Sequence, residues 1–387
     1  MRKSFINFRA STMTTPVIAH FINPYLPVTQ NWIYNQLRFN TQCRNIVLCQ
    51  TIENAELFPF ENIFPAFPKN SVRSHLSMTF SRFRAQYFAG HYLRIISHEK
   101  PHVLHGHFSW ESWRNIGLVK KIRLPLITTF YGLDVNKLSR KRIWRKRYSQ
   151  LFRIGNIFTV EGPHMARELE SIGCPREKIR IVPIGVDIDK ISSCRYAGKK
   201  TKTIILFVGL EREKKGSLYA AEAFARAAYK NHNCEMHILG NGPFADPVKK
   251  ILSKKGVLGK CVFHGYVPFN SYCSLLGQTD ILMAPSVTAA NGDTEGGAPV
   301  VVTEAQAAGI PVVGTRHCDI PNIVIDNKTG LLCEERDIEA LTCNLENLIC
   351  NRHLRDNLGE AARINATEKF SIQKQVETLN GIYTSLI

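Results

Sequence analysis

No apolar run in the chain reaches the roughly 20 residues that a membrane-crossing helix needs, so no span is expected. A signal peptide is not expected either. Met1-Arg2-Lys3 is basic, but Asn7, Arg9, Ser11 and Thr12 interrupt any apolar core behind it. The 11 cysteines form no C-x-x-C pair and no Cys/His cluster of zinc-finger spacing, so they read as small buried hydrophobes or incidental thiols of a reducing compartment. No G-x-G-x-x-G follows the first strand-like run, Val17–Phe21, which argues against a dinucleotide dehydrogenase. Acidic residues are scarce, 32 Asp and Glu against 50 Lys and Arg, for a net charge of +18. That excess bounds the partners to nucleic acid, an anionic membrane face or phosphate-bearing small molecules. No RNA-recognition, zinc or helix-turn-helix pattern accompanies it, so a basic nucleic-acid-binding protein has only charge in its favour and no nucleic acid is expected.

What is present is a large apolar content, 44% of 387 residues, enough for two or three domains. Short apolar runs alternate with helical patterns. In the first half the strand candidates are Val17–Phe21, Asn45–Cys49, His102–His105, Leu126–Phe130, Ile157–Val160 and Ile179–Pro183, with helical spacing over Trp32–Phe39 and Phe80–Ile96. A polar stretch from Ser192 to Thr203 reads as a linker. The alternation then restarts with strands at Thr203–Val208, Cys234–Leu239, Val262–Phe263, Ile281–Ala284 and Pro311–Thr315, and helices at about Gly216–Tyr229 and Val300–Ala308. Strands alternating with helices imply parallel sheets covered on both faces, an α/β class with two doubly wound, Rossmann-like domains. The expected division is 1–193, 194–370 and a terminal helix over 371–387 whose apolar spacing (Ile372, Val376, Leu379, Ile382) permits packing back on the first domain.

In open parallel sheets ligands bind beyond the carboxyl ends of the strands. The most informative segment lies there, after the Ile281–Ala284 run: Glu295-Gly296-Gly297-Ala298-Pro299-Val300, with Glu304 a little further on. Two glycines allow close backbone approach to a ligand. Pro299 suits a helix start, and the N–H groups that follow would face an anion such as a diphosphate. A carboxylate at Glu304 can accept hydrogen bonds from a ribose diol. An ordinary glycine turn with a surface carboxylate remains the simpler alternative for the segment alone.

The ordered series Gly209…Lys215-Gly216, Gly240-Asn241-Gly242-Pro243, Gly265-Tyr266-Val267-Pro268, Asp280…Pro285-Ser286, Glu295…Glu304, Pro311-Val312-Val313 and Thr329-Gly330-Leu331 resembles the donor domain of GT-B glycosyltransferases. The resemblance is to the large retaining family known as glycosyltransferase family 4, or group 1, of the bacterial polysaccharide, exopolysaccharide and lipopolysaccharide type. It implies a GT-B fold, two such domains facing across a cleft. It also implies transfer of a sugar from a nucleotide-sugar to a glycan or lipid-linked glycan, with retention, without a metal and with no cofactor. An isomerase or epimerase of the same fold acting on a nucleotide-sugar is the alternative.

By that resemblance the donor-binding residues are Gly209, Arg212, Lys215, Tyr266, Gly296, Gly297, Ala298, Pro299, Val300 and Glu304. The catalytic candidates are Glu295, Asp134, Tyr131 and His107. The chain departs from the family in three places. The loop from Glu295 to Glu304 is one residue longer, Leu210 stands where an arginine is usual, leaving Arg212 to take its role, and Tyr131 replaces a histidine. Lys214, beside Arg212, reads as a solvated loop residue. The lone formal D-x-D, Asp187-Ile188-Asp189, lies at a domain exit and not at a metal site.

Between Lys137 and Arg147 seven residues are basic, around Trp144. A solvated helix face explains them. A docking patch for an anionic membrane surface explains them equally well, and would place the chain in the cytoplasm, peripheral on the inner face of the plasma membrane.

Overall fold

The computed structural model describes residues 15–67, 89–194, 201–231 and 233–387. These residues build two all-parallel sheets. The first contains β1 (Val17–Phe21), β2 (Arg44–Cys49), β3 (Ile63–Pro65), β4 (Val103–His107), β5 (Leu126–Thr129), β6 (Ile157–Val160) and β7 (Ile179–Ile181), in the order β3-β2-β1-β4-β5-β6-β7. The second contains β8 (Thr203–Val208), β9 (Cys234–Leu239), β10 (Cys261–Gly265), β11 (Ile281–Ala284), β12 (Val312–Thr315) and β13 (Gly330–Cys333), in the order β10-β9-β8-β11-β12-β13. Both sheets reverse their winding at the first strand, between β1 and β4 and between β8 and β11. Such switch points open a crevice at the carboxyl ends of the strands. His107 and Gly209 stand at these two points.

The strands follow the apolar runs, because a strand buried on both faces is mostly apolar, and the polar residues that β1 and β4 do bury, His20, His105 and His107, are hydrogen-bonded. β4 runs two residues beyond the expected His105, since Gly106 and His107 pair with Thr128 and Thr129 of β5. β3, which ends on Pro65, and β13, which opens on Gly330, were not among the strand candidates. Of the helical pattern at Phe80–Ile96, the chain from Ala89 to Glu99 is helix, and residues 80–88 lie outside the described residues. The Ser192–Thr203 stretch begins at the end of the Ile188–Ser193 helix, and its residues 195–200 also lie outside them. Asp187 of the D-x-D caps that helix, accepting from Lys190 N at 3.1 Å.

Phe21, Leu104, Phe130 and Phe158 centre one core, and Phe207, Phe224, Ile238 and Met283 another. Each such side chain contributes roughly 1.5–3 kcal/mol by burial. The terminal helix, Ile372–Thr384, leaves the second unit and packs on the first. Its Leu379, Ile382 and Tyr383 close over Ile18, Val103, Ile127 and Ile157 of the first sheet. At the crossing, Val186 N donates to Phe370 O and Ile372 N to Val186 O, each at 2.9 Å. The chain thus passes between the units at two adjacent places, and the facing strand ends meet across a cleft. No helix among the described residues is long and apolar enough to cross a membrane.

Candidate functional site

The loop after β11 returns to the cleft and becomes the Val300–Ala307 helix. Pro299 occupies the position before the helix, one residue earlier than its expected place in the first turn, and no side chain caps the end. The first N–H groups of the helix therefore face the loop without an intrahelical partner, as an anion site requires.

Glu295 is the most constrained side chain of this loop. Its carboxylate accepts from Lys215 Nζ at 3.2 Å and from Ser286 Oγ at 3.0 Å, with Lys214 Nζ at 3.7 Å. Burial pushes the carboxyl up, but Lys215 and Lys214 outweigh burial and hold it below the usual carboxylate value. The backbone is pinned as well. Glu295 N donates to His317 Nε2 at 3.1 Å, and His317 Nδ1 is held by Glu335 at 2.6 Å. This pair, with His317 buried and Glu335 half-buried, anchors the loop that carries the extra residue, and neither member stood out in the sequence.

Glu304 lies inside the helix, buried, with Oε2 accepting from Tyr272 Oη at 2.5 Å. Burial raises its pKa, and the Tyr272 hydrogen bond opposes that rise. Its other oxygen has no partner among the described residues. Gly209 lets the stem of Lys215 pass, because a Cβ there would meet Lys215 Cγ at 2.6 Å. Tyr266 is 73% exposed on the loop after β10, its hydroxyl 3.4 Å from Asn241 O. The two basic residues beside Lys215 exchange their expected places. The Arg212 side chain is 51% exposed and pairs at 3.5 Å with Asp293, so it stays at the rim. The Lys214 side chain is only 11% exposed and donates to Thr294 O at 2.6 Å, so it belongs to the cluster. The one-turn 3-10 helix Glu213–Lys215 aims both lysines inward, which residue type alone does not reveal.

The first unit supplies the opposite wall. Gly132 touches the donor loop: a Cβ on it would overlap the Glu295 carbonyl oxygen, and a Cβ on Gly296 would overlap Gly132 Cα. Asp134, two residues on, is fully buried. Its carboxylate accepts from Ser109 N and Tyr131 N at 2.9 Å each, and from Ser109 Oγ. Burial lifts its pKa to about 7 against those bonds. Asp134 thus holds the Tyr131–Gly132 corner from beneath.

His107, likewise 0% exposed, sits in a chain of hydrogen bonds. Both hydrogens of the Asn45 amide are used on Leu37 O and Asn40 O, so Asn45 Oδ1 accepts from His20 Nε2 at 3.1 Å. His20 Nδ1 then accepts from His107 Nε2 at 3.0 Å, and His107 Nδ1 accepts from the Tyr131 hydroxyl at 3.1 Å. Burial, then the neighbouring rings, hold His107 well below the ordinary histidine value, so the chain is neutral. Tyr131, packed between Phe108 and Trp32, is anchored by it. His105, on the same face, is engaged by Tyr383 and Thr129 at 2.8 and 2.7 Å.

Three residues of the cleft were not legible beforehand. Glu161, the first residue after β6, faces Gly297, where an added Cβ would overlap its Oε2. Asn136 Nδ2 is buried beside Gly296 without a partner among the described residues. Asp319 of the second unit caps the Pro163–Ser171 helix of the first, accepting from His164 N at 2.8 Å and Met165 N at 3.2 Å. Glu161, Asp319, Ala298, Val300 and Thr303 line a cavity of about 260 Å³ between the units.

The basic run is only partly a free face. Arg140 reaches across the cleft and donates to Gly292 O at 2.7 Å and Asn291 O at 3.3 Å. Arg147 lies over the rings of Trp113 and Trp144, 3.9 and 4.7 Å from their centroids. Lys137, Lys141, Arg142, Arg145 and Lys146 remain exposed, next to an Ile143 that is 55% exposed.

The glycosyl transferases group 1 model matches residues 193–365, and the glycosyltransferase family 4 model matches residues 54–190. The chain is 34% identical over 224 residues to the Escherichia coli (strain K12) protein named for colanic acid biosynthesis, glycosyltransferase WcaL, covering 58% of this chain and 55% of that one. It is 33% identical over 229 residues to the amylovoran biosynthesis glycosyltransferase AmsK of Erwinia amylovora, covering 59% of this chain and 56% of that one. These matches span little more than half the length of the relatives. In fold the chain is similar to a glycosyltransferase from Rickettsia africae, with TM-score 0.77 and 16% identity over 96% of this chain and 99% of that one. It is similar also to Anabaena HepE in complex with UDP and glucose, with TM-score 0.73 and 14% identity over 96% of this chain and 100% of that one.

Proposed function

Since the chain belongs to the glycosyl transferases group 1 family and has the GT-B fold, we propose that it is a glycosyltransferase of the hexosyltransferase type. It moves a sugar from a nucleotide-sugar to a glycan or lipid-linked glycan acceptor, in polysaccharide biosynthesis, with retention and without a metal. The observation that carries this reading is the clamp on Glu295: a buried carboxylate held by Lys215 beside an uncapped helix start. A diphosphate seated at Gly297–Val300 would gain charge as the sugar leaves. The fixed lysine and the helix N–H groups offset that charge without reorganising. Glu295 then faces the sugar, and Glu304 the ribose. A thermal-shift screen of UDP- and GDP-sugars tests the reading, because a bound donor raises the melting temperature by mass action. No shift with any of them would count against it.

Glu304→Ala removes the proposed ribose acceptor. Nucleotide affinity should fall by about tenfold to a hundredfold, the range of a hydrogen bond to a charged group. Calorimetric titration reads this directly, and native affinity in the variant would contradict the assignment.

The exposed cations at Lys141, Arg142, Arg145 and Lys146, with Ile143 among them, support weak binding to anionic membrane lipid on the cytoplasmic side. Each contributes roughly 1 kcal/mol near such a surface. Replacing Lys141 and Lys146 by glutamine should weaken sedimentation with phosphatidylserine vesicles by about thirtyfold at low salt. Equal sedimentation of native and variant would remove the patch from the account.

A further inference from the structure

Two polar groups of the first unit lie against the glycine loop, each with an atom that has no hydrogen-bond partner among the described residues. The Glu161 carboxyl has no hydrogen-bond partner among the described residues, although it lines the interdomain cavity and lies against Gly297. The Asn136 side-chain amide is buried against Gly296, and its Nδ2 is equally without a partner. The buried Asn136 amide hydrogen costs free energy while it stays unpartnered, and the half-buried Glu161 carboxyl faces the cavity beside the same backbone segment, so the two together call for a ligand. The titratable groups that act electrostatically with Glu161 come from both units: Asp134 and the Tyr131 phenol belong to the first, and Asp319, Glu295 and Lys214 to the second.

We propose that Glu161 and Asn136 are donor-binding residues that close the site from the first unit, each donating a hydrogen bond to the diphosphate of the nucleotide-sugar at the glycine loop. This rests on the donor reading given above. A carboxylate beside a diphosphate would repel it, whereas a carboxylic acid donates to it. The surroundings favour the acid. Burial first, then Asp319, Glu295 and Asp134, lift Glu161 to about 8, with Lys214 opposing. Near neutral pH Glu161 therefore carries a proton and no charge. The ligand binds the protonated form, so this contribution is present below that value and is lost as pH rises through it.

The test is calorimetric titration of the full chain with UDP, or with GDP if the native protein takes only the purine, comparing native, Glu161→Gln and Asn136→Ala. Glutamine keeps a donor and cannot ionise. Relative to Glu161→Gln, native affinity should fall about fourfold between roughly pH 7 and pH 8.5, the two proteins being nearly equal at the lower value. Asn136→Ala should bind about fivefold more weakly at both values and keep the native pH dependence. In the native protein alone, binding near pH 8 should take up about half a proton, read from buffers of different ionisation heat. Parallel profiles for native and Glu161→Gln, or no proton uptake, would overturn the role of Glu161. Native affinity in Asn136→Ala would overturn that of Asn136. Failure of the native protein to bind either nucleotide near pH 7 would overturn the donor reading, and this inference with it.

Discussion

Gly132→Ala should lower turnover by about a hundredfold or more, while nucleotide affinity falls by less than about tenfold. The glycine stands where the two units touch. An added Cβ would overlap the backbone oxygen of Glu295, and backbone cannot swing aside as a flexible side chain can. The units would have to part by about an ångström at this point, a displacement that costs roughly two orders of magnitude when it separates a reacting group from its partner. The second unit keeps its own contacts to the nucleotide through Glu304 and the helix start, so binding suffers less than chemistry. Steady-state kinetics beside calorimetric titration separates the two effects. A turnover number close to native would show that this contact is not part of the working state.

Lys215→Ala should lower turnover by about a hundredfold to a thousandfold, the usual cost of removing one fixed donor from a developing anion. Its effect on KM should be much smaller, because the lysine acts more strongly on the leaving diphosphate than on the bound donor. The variant should also change the acid limb of the pH profile. In the native protein Lys215 is the largest of the influences that hold Glu295 below the ordinary carboxylate value against burial. Without it burial gains weight, the Glu295 pKa rises, and activity that depends on the carboxylate is lost at a higher pH than in the native protein. Lys214, 3.7 Å from Glu295, limits the rise. Unchanged turnover, or an acid limb that does not move upward, would contradict the clamp.

The donor side was legible in the sequence because its chemistry is contiguous. Glu295, the glycines, Pro299 and Glu304 lie on one loop and one helix start, and local rules for glycine, proline and helix ends apply to them directly. The long strands were legible for a related reason: a run such as Thr203–Val208 is β-branched and apolar around a buried centre at Ile205, Leu206 and Phe207. The first unit's contribution was not. Glu161 follows a strand, and Asn136 sits within a helical turn, with nothing about either to suggest a site until two sheets face each other. Asp134 is a catalytic candidate by resemblance, and the sequence does not show that its carboxylate lies beneath the Tyr131–Gly132 corner, bonded to Ser109 N and Tyr131 N. Arg140 was hidden in a charge run, although its guanidinium spans the cleft to Gly292. Lys214 and Arg212 differ only in the direction that a single 3-10 turn gives them.

The isomerase alternative shares the fold and the donor grip, so binding alone does not separate it from a transferase. Release of free nucleoside diphosphate does. The native protein, given a donor that it binds, should release nucleoside diphosphate in step with sugar appearing on an added glycan acceptor, and only slowly without one. A nucleotide-sugar converted to a different nucleotide-sugar, with no nucleoside diphosphate released whether or not acceptor is present, would contradict the account.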